Sequence, residues 1–320
     1  MDVNTPLAKT DSEIIEGLTS DPRYIPSKYF YDDKGSVLFQ QIMQMPEYYL
    51  TNTELDILRQ HRDSIVAEMT RGATRLNLIE LGAGDGMKTR TIIDALLRSN
   101  KDFSYIPVDI SHEAIDRLSD EFTSAYPQLK INPLVQDYES GLHTMRQEPG
   151  ARNIVLFLGS TIGNFTPQHS EDFLRMVNRN LKNDDMLFIG FDMVKDPDTI
   201  LKAYNDAANI TAKFNYNLLH RINRELKANF NVDCWRHQPV YDVEQKAAKS
   251  YLIATKAQKV YFAAADMSIS FGQWDFIFTE ISQKYNSAMI EQLALRCGFY
   301  PYKSFTDVRN HFTDALWIKK

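Results

Sequence analysis

The chain has 320 residues, of which 43% are hydrophobic and 24% charged, with a formal net charge of −6. No stretch approaches the roughly 18 uninterrupted apolar residues of a membrane span, and the acidic surplus is spread without a basic stripe, so neither a membrane nor a nucleic acid is expected as partner. Two well-separated cysteines, Cys234 and Cys297, are expected to be reduced and buried, and the seven histidines stand singly, which gives no metal site.

The N-terminal MDVNTPLAKTDSEIIEGL lacks the basic start and apolar centre of a secretory signal, so a cytoplasmic chain is expected, with a monomer as the working oligomeric state. Residues 1–60 read as mostly helical, with KGSVLFQQIMQM running into the aromatic PEYYLT. RLNLIEL is the first buried strand, and TRTIIDALL follows with apolar residues on one helical face. FSYIPVDI is a second strand and SHEAIDRLSDEF a second helix, capped by Ser111. KINPLVQDY, NIVLFLGS and DMLFIGFDM supply three more strands, with the helix SEDFLRMVNRNL between the last two. Alternation of this kind predicts a doubly wound, Rossmann-like α/β sheet.

Beyond it the rhythm changes. Residues 196–235 look helical, KVYFAAADMSISFGQWDFIFTEIS is β-rich, and MIEQLALRCGF is a helix before a terminal strand DALWIKK. The expected layout is a core of residues 61–195 plus 286–320 and a second, discontinuous α+β domain of residues 1–60 plus 196–285.

The segment GAGDG places glycines at 82, 84 and 86, which is neither the G-x-G-x-x-G of a dinucleotide fold nor a phosphate loop ending in G-K-[ST]. Asp109 ends the second strand, where a carboxylate can accept both ribose hydroxyls of an adenosine; NAD and S-adenosylmethionine (SAM) both meet that requirement. Asp137 and Tyr138 stand at adenine height, and Gly159 opens GSTIGN, small residues beside polar ones where a sulfonium would lie. This arrangement favours a methyl donor over a nicotinamide-dependent oxidoreductase.

With the segments KYFYDDKGSVLFQQIMQMPEYYLTNTE, ELGAGDGMKTR, FLGSTIGN, DMVKD, AYNDAANITAKFNYNLLHRINREL and TEISQKY in order, the chain resembles the SAM-dependent histidine Nα-methyltransferases of the ergothioneine pathway along nearly its whole length. The resemblance implies a class I methyltransferase core with the second domain binding substrate, and L-histidine as substrate, converted to N,N,N-trimethylhistidine (hercynine). It implies SAM contacts at Gly82, Lys88, Asp109, Asp137, Tyr138 and Gly159. Substrate contacts fall on Tyr48, Asn164, Tyr204, Glu280 and Ser282. Asn164 and Tyr204 would hold the amino acid's backbone groups, Glu280 and Ser282 its imidazole, and Tyr48 is the candidate to orient the amine or relay its proton. The chain departs from the family at Ser250 and Tyr251, where the family carries Met-Trp with the Met lining the imidazole pocket; a smaller residue there enlarges the space beside the ring. Read from residue type alone, Tyr48 could pack on Tyr49, Asn164 could cap the following helix, and Tyr204 could be one member of a helix face. The remaining alternatives are an Nα-methyltransferase of another aromatic amino acid or of a histidine derivative, and a SAM-binding module without catalysis.

Overall fold

The structure, a computed structural model, describes residues 9–145 and 150–320; the first eight residues of the expected helical N-terminal segment lie outside the described residues. The strands, in chain order, are β1 (Arg75–Leu81), β2 (Asp102–Asp109), β3 (Lys130–Ile131), β4 (Leu134–Val135), β5 (Arg152–Phe157) and β6 (Met186–Asp192). Next come β7 (Trp235–Asp242), β8 (Ala247–Ala254), β9 (Gln258–Phe262), β10 (Met267–Phe271) and β11 (Phe276–Gln283), and last β12 (Phe299–Thr306) and β13 (Phe312–Lys319). The chain divides into two compact units: residues 50–194 with 284–320, and residues 195–283 with the described part of 1–49.

In the first unit the sheet order is β12-β13-β6-β5-β1-β2-β3, with β4 also pairing β2. The pairings among β1, β2, β3, β4, β5 and β6 are parallel, while β13 runs antiparallel to both β6 and β12. Both faces are covered, as a parallel sheet requires. Alternate residues separate cleanly: Leu76, Leu78, Ile154 and Leu156 enter one apolar cluster, whereas Ile79, Leu81, Val155 and Phe157 enter the other. Strands β2 and β5 flank β1 and are reached by connections that set out in opposite directions, so the carboxyl end of β1 is the switch point at which such sheets take ligands.

Several expectations need correction. The break expected after residue 60 falls inside the helix Tyr49–Thr70, whose Ile57, Leu58, Ile65 and Met69 are buried in the core of the sheet unit; that apolar stripe carries the helix with the sheet. KINPLVQDY is not one strand but the two-residue β3 and β4, interrupted at Asn132 and Pro133, because proline has no N–H for a ladder. Residues 138–145 already form a helix, Tyr138–Met145. The stretch 196–235 contains two helices, Pro197–Tyr204 and Ile210–Glu225, and then starts β7. Strands β7, β8 and β12 were not anticipated.

The second unit holds a three-stranded antiparallel sheet in the order β11-β8-β7 and a separate β9-β10 hairpin. Its core joins Ile14, Leu18 and Phe30 from the N-terminal segment to Phe214 and Leu218 of the long helix and to Leu252 and Ile277 of the sheet. Phe30 stacks on Phe214 with ring centroids 4.3 Å apart, an aromatic contact that ties chain segments far apart in sequence.

Candidate active site

The donor side lies in the sheet unit. After β1 the backbone turns through Gly82, Gly84 and Gly86, with φ of +73°, +54° and +63°, a left-handed path that side chains resist by about 1–2 kcal/mol per residue. A Cβ on Gly84 would meet nothing within 4 Å, so this turn borders open space, whereas one on Gly82 would stand 2.9 Å from the Tyr138 hydroxyl. Asp109 faces the same turn: its carboxylate accepts the N–H of Gly84 at 3.4 Å and of Ser111 at 3.0 Å. The carboxylate is half-buried and keeps lone pairs for a ribose. Tyr138 packs edge-on against Phe157 and Phe173. Burial and then the charge of Asp109 push its phenol up to about 12, so it stays a neutral hydroxyl donor.

Asp137 does more than the sequence reading asked of it. Its carboxylate accepts the backbone N–H of Ser140 at 2.9 Å and the Ser140 hydroxyl at 2.8 Å, which caps the helix Tyr138–Met145. Those bonds, the backbone one first, hold its carboxyl below the usual range. The residue is exposed, so oxygen lone pairs remain for an adenine amine. A glycine turn with open space beside it, a half-buried acid at the next strand end and an exposed acid with an aromatic at the following one fit the parts of SAM.

Gly159, just past β5, also has a positive φ, of +78°. Its N–H donates to both oxygens of Glu54, at 2.8 and 3.0 Å, and Glu54 pairs with the ammonium of Lys88. Behind the loop, buried Glu80 accepts hydroxyl hydrogen bonds from Thr89 and Tyr105. Burial, opposed by those two bonds, raises its carboxyl to about 7. Asn164 ends a short 3-10 turn, Thr161–Asn164, and does not cap the next helix; Thr166 does, accepting from the His169 N–H.

Glu280 and Ser282, expected to meet the acceptor, lie on β11 of the β11-β8-β7 sheet in the second unit. Register pairs Glu280 with Ser250 and Ser282 with Ala248, and a β-bulge lies between Phe278 and Glu280. The extra residue reverses the alternation, so Glu280 and Ser282 stand on the same face as Ser250 and Leu252. Without that bulge Glu280 would point to the other side. The Tyr204 hydroxyl donates to Ser282 Oγ at 2.7 Å, with both residues buried; Tyr204 ends its helix and reaches the sheet instead of serving as one helix-face member. Tyr48 packs edge-on against Phe39 at 6.3 Å. Its neighbour Tyr49 instead starts a helix and accepts from the Lys195 ammonium.

Ser250 is buried, and its hydroxyl lies 3.1 Å from His237 Nε2. Burial pulls the His237 imidazole down to about 4, against the charge of Asp206, so a neutral ring occupies the neighbourhood of the departure from Met. Tyr251 points to the opposite face and packs with Phe276 and Phe278. The structure thus gathers Gly82, Lys88, Asp109, Asp137, Tyr138, Gly159 and Asn164 in one unit and Tyr48, Tyr204, Glu280 and Ser282 in the other. Glu54, Glu80 and His237 are not singled out by the sequence. Glu54 does carry a signal in the sequence, since an acid between Leu50 and Leu58 on a helical stripe sits where an apolar residue is expected.

Residues 10–319 match the family described as histidine-specific methyltransferase, SAM-dependent. A histidine N-alpha-methyltransferase of Mycolicibacterium smegmatis is 35% identical over 307 residues, covering 96% of this chain and 94% of that protein. The protein of the same name from Mycobacterium tuberculosis is 34% identical over equal shares of both chains. Ergothioneine biosynthesis protein 1 of Schizosaccharomyces pombe is 33% identical over 236 residues, 72% of this chain and 30% of the longer relative.

Proposed function

This chain belongs to the SAM-dependent, histidine-specific methyltransferase family, and from that premise we propose that it transfers methyl groups from SAM to the α-amine of L-histidine, three times in succession, as in ergothioneine biosynthesis. The observation that carries the substrate assignment is the bulged sheet face on which Glu280 and Ser282 stand together, a carboxylate and a hydroxyl able to accept and give hydrogen bonds to an imidazole.

SAM supplies a methyl group on a sulfonium: the amine lone pair attacks the methyl carbon in line as the S–CH3 bond breaks and neutral S-adenosylhomocysteine leaves, so the chain needs no nucleophile of its own. The glycine turn and Asp109 hold the nucleoside, and Tyr138 and Asp137 border the base. On the acceptor side Glu280 takes the imidazole N–H and Tyr204 a backbone group of the amino acid; the family resemblance gives the other backbone contact to Asn164, which belongs to the sheet unit. Tyr48 orients the α-amine and passes on its proton, directly or through water. Its ring, with Phe39 behind it, offers an aromatic surface that tolerates the growing methylated cation.

Thermal shift separates this reading from its rivals. SAM and not NAD should raise the melting temperature, and histidine should raise it further. Stabilisation by NAD would return the chain to oxidoreductase chemistry; stabilisation by SAM alone would leave a donor-binding module.

A further inference from the structure

Beneath the donor side lies a group of ionisable side chains to which the reaction above gives no role. Glu54, on the helix Tyr49–Thr70, has no exposed surface, and its carboxylate accepts the Gly159 N–H while pairing with Lys88, which is 17% exposed. A Cβ on Gly190 would stand 2.5 Å from Glu54 Oε1, so this position of β6 is bare where the carboxylate passes. Asp314, which pairs with Gly190 across β13 and β6, is also fully buried, and among the described residues no donor reaches either of its oxygens. Burial first, and then the charge of Glu54, holds Asp314 well above the usual carboxylate range. Glu54 and Lys88 form the ion pair of the group.

We propose that Glu54 is a positioning residue of the methyl-donor site: it fixes Lys88 and the Gly159 backbone from beneath and neutralises the Lys88 ammonium, so that a cationic sulfonium is accepted beside it. This rests on the reading of Lys88 and Gly159 as donor-site residues. The Lys88 Nζ lies 3.2 Å from where a Cβ on Gly159 would stand, which puts the ammonium at the strand end assigned to the sulfonium. An uncompensated ammonium there would repel SAM and leave S-adenosylhomocysteine, whose sulfur is neutral, much less affected. The two ligands differ by that charge, so their affinity ratio reads the compensation and not the general state of the fold. Asp314 is a second buried carboxylate close enough to feel the charges of both Glu54 and Lys88, so a test of the compensation removes both acids.

The test is calorimetric titration of SAM and S-adenosylhomocysteine into the full chain at mildly alkaline pH. Glu54→Gln with Asp314→Asn, which removes both carboxylates, should weaken SAM about tenfold more than S-adenosylhomocysteine. Lys88→Met, a change at a partly exposed helix position that remains informative if the buried double variant does not fold, should move the ratio the other way, toward SAM. Adding Lys88→Met to the double variant should restore the wild-type ratio. Equal weakening of both ligands in Lys88→Met would leave the donor site standing and overturn the charge compensation. Unchanged affinity for both ligands in Lys88→Met would overturn the placement of Lys88 at the donor site, and the inference with it.

Discussion

The donor side is made mostly of backbone, the acceptor side mostly of side-chain groups. In the sheet unit the chain makes room by taking positive φ at Gly82, Gly84, Gly86 and Gly159, and the side chains around the turn brace it from behind. In the other unit the proposed recognition of the amino acid depends on which face of a three-stranded sheet Glu280 and Ser282 occupy, and a single extra residue in β11 sets that face. A backbone-built site is general, because every SAM has the same nucleoside; a site built from aimed functional groups is specific to one amino acid. Damage should follow the same division, with donor-side changes weakening SAM binding and acceptor-side changes altering how the amino acid is bound and selected.

The largest contrast is in the response to pH. Glu80, in the donor unit, is raised from 4.5 to about 7. Below its unfolded value both states are protonated; as pH rises the unfolded chain ionises first, so stability is fully present below 4.5 and is lost as pH climbs through about 7. His237, in the acceptor unit, is lowered from 6.5 to about 4. Here stability is fully present above the unfolded value and is lost as pH falls toward the folded one, because the unfolded chain takes up a proton that the folded ring refuses. At about 1.4 kcal/mol per pH unit, each amounts to up to about 3 kcal/mol, less for His237, which is only half-buried. Melting curves across pH should therefore show Glu80→Gln flattening the fall toward neutrality and His237→Gln flattening the fall into acid. A Glu80→Gln profile parallel to wild type would mean that this carboxyl titrates normally.

Asp109→Ala comes next, costing SAM about 2–3 kcal/mol through the loss of charged hydrogen bonds to the ribose. Histidine binding should be affected only through the donor. Calorimetry on the folded variant checks this, and an unaltered dissociation constant removes Asp109 from the site.

These donor-side groups were largely readable in the sequence because they are local. The turn, the strand that feeds it and Asp109 lie on neighbouring runs whose alternation gives β1 and β2 directly, and the cap at Ser111 is present, accepting from the Ala114 N–H. The acceptor face was not readable from residue patterns alone. Strands β7 and β8 carry Arg236, Gln238, Lys249 and Lys246 among their apolar residues and turns, which blurs the alternation, and the bulge at Thr279 shifts the period just where Glu280 follows. Only the resemblance to a family singled out Glu280 and Ser282. Glu54 and Asp314 escaped for a different reason: Glu54 sits among Thr51, Asn52, Thr53 and Asp56 and Asp314 beside Phe312, Ala315 and Leu316, and neither shows a role until its partners from distant segments are known.

On the acceptor side, Glu280→Ala should erode the preference for histidine over tryptophan by about 1–3 kcal/mol, the cost of a buried polar group left without its partner. Competition assays with both amino acids measure it. A preserved ratio would show that something other than the carboxylate reads the ring.

The smallest effect belongs to Tyr204→Phe. Loss of the hydroxyl that donates to Ser282 at 2.7 Å should reduce kcat/KM for histidine by about 1 kcal/mol, mainly through KM. SAM affinity should not change; equal losses for both ligands would indicate damage to the fold.

The central claim, that a SAM-binding sheet unit serves a histidine-reading face, is tested most directly by mass spectrometry of the products formed when the protein is incubated with SAM and an equimolar mixture of the amino acids. The account predicts histidine carrying methyl groups on its α-nitrogen, ending at the trimethylated form, with S-adenosylhomocysteine as co-product and no other amino acid modified at a comparable rate. Methylation of tryptophan or tyrosine ahead of histidine, or of an imidazole nitrogen in place of the α-amine, would contradict it.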